Sequence, residues 1–375
     1  MSTNEEKTVN ANESMGPAVL LYDRDILTDP ADIYADSVRK FQGIPCIERT
    51  RAGRVFFAFY TGMQGEEAGN YVLLFYADHD ANKKATVLLA VTPPTKNVRC
   101  FDPCLWIAPD GRLWLFWAQS YGFYDGRQGV WCSVCDEPDT DAPVFSVPRR
   151  IANGIMMNKP IVTSDHRWLL PCAIWEGFRS ELNDLSEERF SNVYCSEDNG
   201  VTFSLLSHTA YSERFIDEHM LVEKQNGDIW MLIRARNGIG QALSQDGGRS
   251  WGEESDTGWG GPCSRFCIRR LASGRLLLVN HVLFHSRNNL TALLSEDDGA
   301  TWQGGLLLDG RNDVSYPDMT ESADGRLFII HDYNRYSDKE ILLDVITEAD
   351  ILTGKIVDER SRLGVVLNKA TGTIE

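Results

Sequence analysis

The chain has 375 residues, 43% hydrophobic and 24% charged. That composition belongs to a folded protein with a large core and argues against disorder. A formal net charge of −17 argues against nucleic acid and anionic membrane surfaces as partners, and an anionic ligand would need a local cluster of arginines.

Residues 1–15 carry neither a basic start nor an apolar run, and are expected to form a disordered tail before a single domain over 16–375. No later run reaches the length of a membrane span. Nine cysteines, an odd number, stand mostly in apolar strand-like stretches such as Pro171-Cys172-Ala173-Ile174-Trp175. With no visible export signal they read as reduced, buried thiols, and the expected location is cytoplasmic. Cys132-x-x-Cys135 and Cys263-x-x-x-Cys267 lack the paired spacing of a zinc site, so neither a metal nor another cofactor is expected.

An internal repeat organises the rest. A turn carrying Gly-Arg or a close variant, followed by an apolar strand, occurs at Ala52-Gly53-Arg54, Asp110-Gly111-Arg112, Asp165-His166-Arg167, Asn226-Gly227-Asp228, Ser273-Gly274-Arg275 and Asp324-Gly325-Arg326. From Gly53 to Gly325 the steps are 58, 55, 61, 47 and 51 residues. Glycine supplies the positive φ of a tight hairpin and the Asp, Asn or Ser before it favours the bend. His166 is the one departure.

A second pattern, S-x-D-x-G-x-[ST]-[WF], follows in three units. It runs from Ser196 to Phe203, from Ser244 to Trp251 and from Ser295 to Trp302. In each copy the aspartate can hold the backbone N–H groups of its own turn, and the aromatic packs back between strands. Units of about 50 residues with some four strands each match propeller blades. Six units predict an all-β, six-bladed β-propeller, with a β-sandwich as the competing architecture. The stretch Ala18-Val19-Leu20-Leu21-Tyr22 is expected to close the ring by completing the last blade.

If each turn joins a blade's innermost strand to its second, the inner strands open at Ile44, Asp102, Asn158, Glu218, Arg265 and Tyr316. The second strands return to the same end at Tyr60, Ala118, Ala173, Arg234, His281 and Asp332. A ring of polar residues on strands with apolar centres gives a β-core nothing, so it points to a ligand site at one mouth. Trp106, Trp114, Trp117 and Trp175 could stack on sugar rings, although aromatics at strand spacing are more often core.

These residues resemble the sialidase superfamily, also called the BNR or Asp-box family, over nearly the whole chain. The resemblance implies a glycosidase. It makes Tyr316, in Val314-Ser315-Tyr316-Pro317-Asp318, the nucleophile, and Glu218, in Asp217-Glu218-His219, its carboxylate partner. Arg234 and Arg287 match two arginines of the triad that binds the substrate carboxylate. The acid/base falls in the loop Gly62-Met63-Gln64-Gly65-Glu66-Glu67, at Glu67 or Glu66. The chain departs from the family in the first blade: where the family has Arg-Ile-Pro, the sequence is Gly43-Ile44-Pro45. Arg265 and Lys159 are the candidates to replace the missing cation.

A phenol with a pKa near 10 is a poor nucleophile at neutral pH unless a carboxylate takes its proton. The expected function is therefore a retaining exo-glycosidase acting on a terminal, possibly acidic, sugar in an oligosaccharide or small glycoside. Arg234, Arg287, Arg265, Lys159, Asp102, His281 and Asp332 are the expected substrate-binding residues. One alternative is a uronate lyase with Tyr316 and His281 as base and acid. Another is a glycan-binding propeller without turnover.

Overall fold

The computed structural model describes residues 15–27, 32–81, 84–122, 128–175 and 185–373. Of the expected N-terminal tail, residues 1–14 lie outside the described residues. Six antiparallel sheets follow one another along the chain. Their inner strands are Gln42–Arg49, Val98–Ile107, Ile161–Val162, Met220–Glu223, Cys267–Arg270 and Val314–Glu321. Each sheet is a blade, and the fold is a six-bladed β-propeller.

One backbone pattern repeats at all six turns between inner and second strands. The N–H of Thr50, Ala108, Thr163, Lys224, Leu271 and Ser322 donates to the carbonyl four residues on, at 2.8–3.0 Å. The residue before the last is left-handed each time, including His166 at φ 68° beside Gly53 at 97° and Gly325 at 79°. A side chain in that region is uncommon, but histidine is among the residues that tolerate it. The irregular repeat unit therefore keeps the same turn.

The three S-x-D-x-G motifs form one structure. Asp198, Asp246 and Asp297 accept from the backbone N–H of Thr202, Ser250 and Thr301 at 2.8–2.9 Å. Ser196, Ser244 and Ser295 accept from the N–H of the motif glycines at 2.8–2.9 Å. These turns join third to outer strands, far from the channel, so they brace the blades and take no part in a site.

The ring closes differently from the expectation. Val19–Tyr22 pairs with Thr86–Thr92 as a fifth, outermost strand of the first blade. The last blade takes all four of its strands from the C-terminal part of the chain, ending at Arg362–Lys369. Closure therefore depends on packing. Ile47, Val55, Phe57 and Phe59 of the first blade bury against Phe328, Ile330, Ile341 and Leu343 of the last. Asp80 adds a clasp, with Arg49 at 2.6 Å on its own blade and Arg326 at 2.6 Å across the seam.

Eight of the nine cysteines are buried and all nine are free thiols. Burial pushes Cys104, Cys132 and Cys267 up to about 12, so they are packing residues and not reactive groups. Among the described residues no helix is long and apolar enough to cross a membrane.

Candidate active site

A cavity of about 380 Å³ opens where the inner strands begin. Three of those strands carry the same irregularity. Register slips between Gly43 and Cys46, between Phe101 and Cys104, and between Ser315 and Asp318. Within each slip one residue is left-handed: Ile44 at φ 56°, Asp102 at 48° and Tyr316 at 57°. Proline follows all three. A bulge re-aims the side chain at its corner, and a non-glycine residue held at positive φ is strain that the surrounding structure must enforce. Here the strain turns all three side chains into the cavity.

Tyr316 is at its centre. Its hydroxyl donates to Glu218 Oε1 at 2.7 Å, and Arg234 Nη1 reaches both the phenol oxygen, at 3.0 Å, and Glu218 Oε1, at 2.7 Å. Burial is the largest influence on the phenol. With the Glu218 charge added, and Arg234, Arg287 and Arg335 opposing, it is pushed up to about 12. At rest the hydroxyl keeps its proton and aims it at a carboxylate. The second oxygen of that carboxylate, Oε2, is buried and has no hydrogen-bond partner among the described residues.

Arg287 reaches the cavity from the loop after the second strand of the fifth blade, its guanidinium 5.4 Å from the Tyr316 ring centre. His281, which was expected to touch substrate, does not line the cavity. Its Nδ1 bonds the carbonyl of Asn288 at 2.8 Å, and burial lowers its pKa to about 4. It is a neutral anchor for the loop that carries Arg287.

The remaining expectations sort by depth. Asp102 lines the cavity, and burial raises its carboxyl to about 8. Glu67 is exposed and accepts from the N–H of Gln64 in its own loop at 2.8 Å. Its neighbour Glu66 faces the cavity instead. Asp332 is fully buried behind the wall, accepting from Ile44 N at 2.8 Å, Ser315 Oγ at 2.8 Å and Arg335 Nε at 2.8 Å.

Arg265 and Lys159 lie below the floor, so neither fills the gap at position 43. Arg265 spends its donors on Asn158 Oδ1 at 2.7 Å and on the carbonyls of Met157 and Pro45 at 3.0 and 3.3 Å. Lys159 bridges Asp318 at 3.1 Å and Glu48 at 3.4 Å. It lines a second cavity of about 380 Å³ at the opposite end of the channel, together with Trp106 and Arg269. Trp114 and Trp117 are core, and only Trp175 of the four tryptophans considered reaches the mouth.

Arg335, absent from the sequence reading, is the main addition. It lies on the loop after the strand Arg326–Tyr333, and its guanidinium covers the Tyr316 ring at 4.0 Å from the centre. Asn334, left-handed at φ 46°, turns the chain back towards the first blade. There the Arg335 carbonyl accepts from Gln42 N at 3.3 Å. Arg335 is outside the strand positions counted from the repeat, so the repeat gave no signal for it.

Residues 53–329 match the BNR repeat-like domain. The chain belongs to the BNR repeat-like family. No curated protein sequence matches it significantly. Among solved structures, the intramolecular trans-sialidase from Ruminococcus gnavus in complex with oseltamivir carboxylate superposes with a TM-score of 0.65 at 12% identity, over 90% of this chain and 98% of that one. A Dyadobacter fermentans protein of unknown function gives 0.63 at 17% identity, over 87% and 96%. The Hadza microbial sialidase Hz136 gives 0.64 at 16% identity, over 83% and 66%. At these identities the likeness is one of fold. This BNR repeat-like protein shares its propeller with sialidases.

Proposed function

We propose that this BNR repeat-like protein is a retaining exo-glycosidase of the sialidase type, acting on a terminal sugar of a small glycoside. The observation that carries the reading is the 2.7 Å hydrogen bond from Tyr316 to Glu218 inside a concave mouth. A phenol raised to about 12 becomes a nucleophile only if its proton leaves as it attacks, and Glu218 is in place to take it. Using a neutral phenol beside a carboxylate also avoids bringing an anion against an anionic sugar. Tyrosine nucleophiles of this kind are a recognised exception to the two-carboxylate scheme of glycoside hydrolysis.

In the first step the Tyr316 oxygen bonds to the anomeric carbon and Glu218 accepts the phenol proton. The glycosidic C–O bond breaks, and the leaving oxygen receives a proton from an acid of the cavity. We assign that acid to Asp102 in preference to the loop glutamates. A proton donor must be protonated at working pH. Asp102, pushed up to about 8 by burial, meets that condition. Glu66 is engaged instead by Arg335, whose Nη1 lies 3.4 Å away. In the second step water attacks the glycosyl–tyrosine, gives its proton to Asp102, and Glu218 returns its own to the phenolate. The likeness in fold to a microbial sialidase and to an intramolecular trans-sialidase supports this reading. The lyase alternative is not favoured, because His281 is away from the cavity and neutral. The free thiols suit a reducing compartment, and we extend the proposal to a cytoplasmic location.

The test is Tyr316→Phe, assayed on a panel of aryl glycosides of neutral and acidic sugars. Turnover should fall at least ~10³-fold with the fold retained by circular dichroism. Undiminished turnover would remove Tyr316 from the role, and no turnover by the unaltered protein on any member would favour the non-catalytic alternative.

A further inference from the structure

Gly43 stands where the sialidase-type arginine is missing, and the space beside it is occupied. A Cβ built on Gly43 would lie 2.6 Å from Arg335 Cδ, 2.8 Å from Cγ and 2.9 Å from Nε. Gly43 is not among the residues with positive φ, so its backbone does not require glycine. What requires glycine is the arginine that crosses it. From the last blade, Arg335 passes over Gly43 and lays its guanidinium on the ring face of Tyr316, 4.0 Å from the centre.

We propose that Arg335 is the third carboxylate-binding cation of this site, supplied by the last blade in place of the first, and that the sugar it selects carries a carboxylate. The inference deepens the glycosidase reading, on which it rests for the identity of the cavity.

Arg335 is built for the task. Only 8% exposed, it is held by Asp332 through Nε at 2.8 Å and by Ser315 Oγ through Nη2 at 3.0 Å. Both holders are themselves buried, and Asp332 is kept in place by the N–H of Ile44 at 2.8 Å. A guanidinium has five N–H donors. Nε and one proton of Nη2 serve the scaffold, and Glu66 at 3.4 Å engages Nη1 at the half-exposed rim. The outward donors of Nη1 and Nη2 are left for a ligand.

Arg234, Arg287 and Arg335 therefore surround the Tyr316 phenol from three blades. Asp332 and Glu66 both pair with Arg335 and Glu218 pairs with Arg234, while among the described residues Arg287 is in no ion pair. Asp102, pushed up to about 8, adds no negative charge at neutral pH. A carboxylate entering beside Tyr316 meets three donors of charge-assisted hydrogen bonds within a protein of otherwise acidic surface.

The test is calorimetric binding of N-acetylneuraminic acid and of D-glucuronic acid, each beside its own methyl ester. At least one acid should bind at least tenfold more tightly than its ester. Arg335→Gln should erase that preference, so that acid and ester bind within about twofold of each other. The exchange Gly43→Arg with Arg335→Gly should restore it, because position 43 can then reach the same place. Equal binding of acid and ester, no binding of either acid, or a preference that survives Arg335→Gln would each overturn the proposal. Binding needs no turnover, which separates the two readings. If Tyr316→Phe and the unaltered protein are both inactive but the acid preference tracks Arg335, the cation assignment stands and the hydrolase reading fails.

Discussion

The Tyr316 hydroxyl of the last blade donates to the Glu218 carboxylate of the fourth at 2.7 Å, although the two are 98 positions apart in the chain. Neither residue is near the other in sequence, and no strand pairing joins them. The propeller brings them together because both stand at the opening of an inner strand. Tyr316 is turned inward by its bulge, and Arg234 spans the pair.

Glu218→Gln keeps the shape of the side chain and removes its capacity to take a proton. Turnover should drop by roughly 10²–10⁴-fold, the usual contribution of a positioned base. Binding of a ligand sugar should change by less than tenfold. Steady-state rates and calorimetry on the same preparation separate the two. A variant with normal turnover would place the base elsewhere.

Asp102 links activity to pH. Its carboxyl, raised from 3.8 to about 8 chiefly by burial, is protonated below that pH and ionised above it, so kcat/KM should decline as pH rises past about 8. In Asp102→Asn that basic limb should vanish. The residual rate should be higher on 4-nitrophenyl glycosides, whose leaving group needs no proton, than on alkyl glycosides.

The same shift affects stability. A carboxyl with a raised folded-state pKa contributes stability that is present below its unfolded value and lost as pH climbs towards 8. The melting temperature of Asp102→Asn relative to the unaltered protein should therefore improve steadily between pH 4 and pH 8, then level off. A difference independent of pH would mean that the side chain is solvated in the folded protein.

Lys159 should prove structural. Burial opposes its charge, but Asp318 and Glu48 outweigh that and raise its pKa. Lys159→Met leaves Glu48 without its cation and Asp318 with only Arg265, 3.7 Å away, and should cost on the order of 3–5 kcal/mol, read as a lower midpoint in urea. Sugar binding should be unchanged, since the side chain faces the opposite cavity. Adding Glu48→Gln should recover part of the loss, because the stranded charge is then gone.

Gly200 tests the Asp-box. It is left-handed at φ 82°, and a Cβ there would lie 2.5 Å from the Trp168 ring and 2.6 Å from that of Trp114. Gly200→Ala combines backbone strain with overpacking and should destabilise by about 2 kcal/mol or more, measured as a lower thermal midpoint. The candidate mouth lies at the other end of the blade, so kcat on any accepted substrate should be unchanged at temperatures where the variant stays folded.

Six turns and three Asp-boxes were legible in the sequence because each is a local device. A hairpin glycine and an aspartate that caps its own loop need only neighbours a few residues away, so their spacing determined the number of blades. The same count placed Glu218, Arg234, Asp102 and Tyr316 at one end, since strand period and turn position determine where a strand begins. Arg287 followed from the family resemblance, as a match to a triad arginine. Side-chain destinations in loops were decided only by tertiary structure. Glu66 rather than Glu67 faces the cavity because one loop hydrogen bond turns Glu67 away. Val19–Tyr22 joins the first blade because its partner edge, Thr86–Thr92, was open, whereas the last blade was already complete. Arg335 depended on a contact between residues 43 and 335, where the absence of a side chain on one blade makes room for the arm of another. Such a contact has no periodicity to betray it, and it is visible only once the ring has closed.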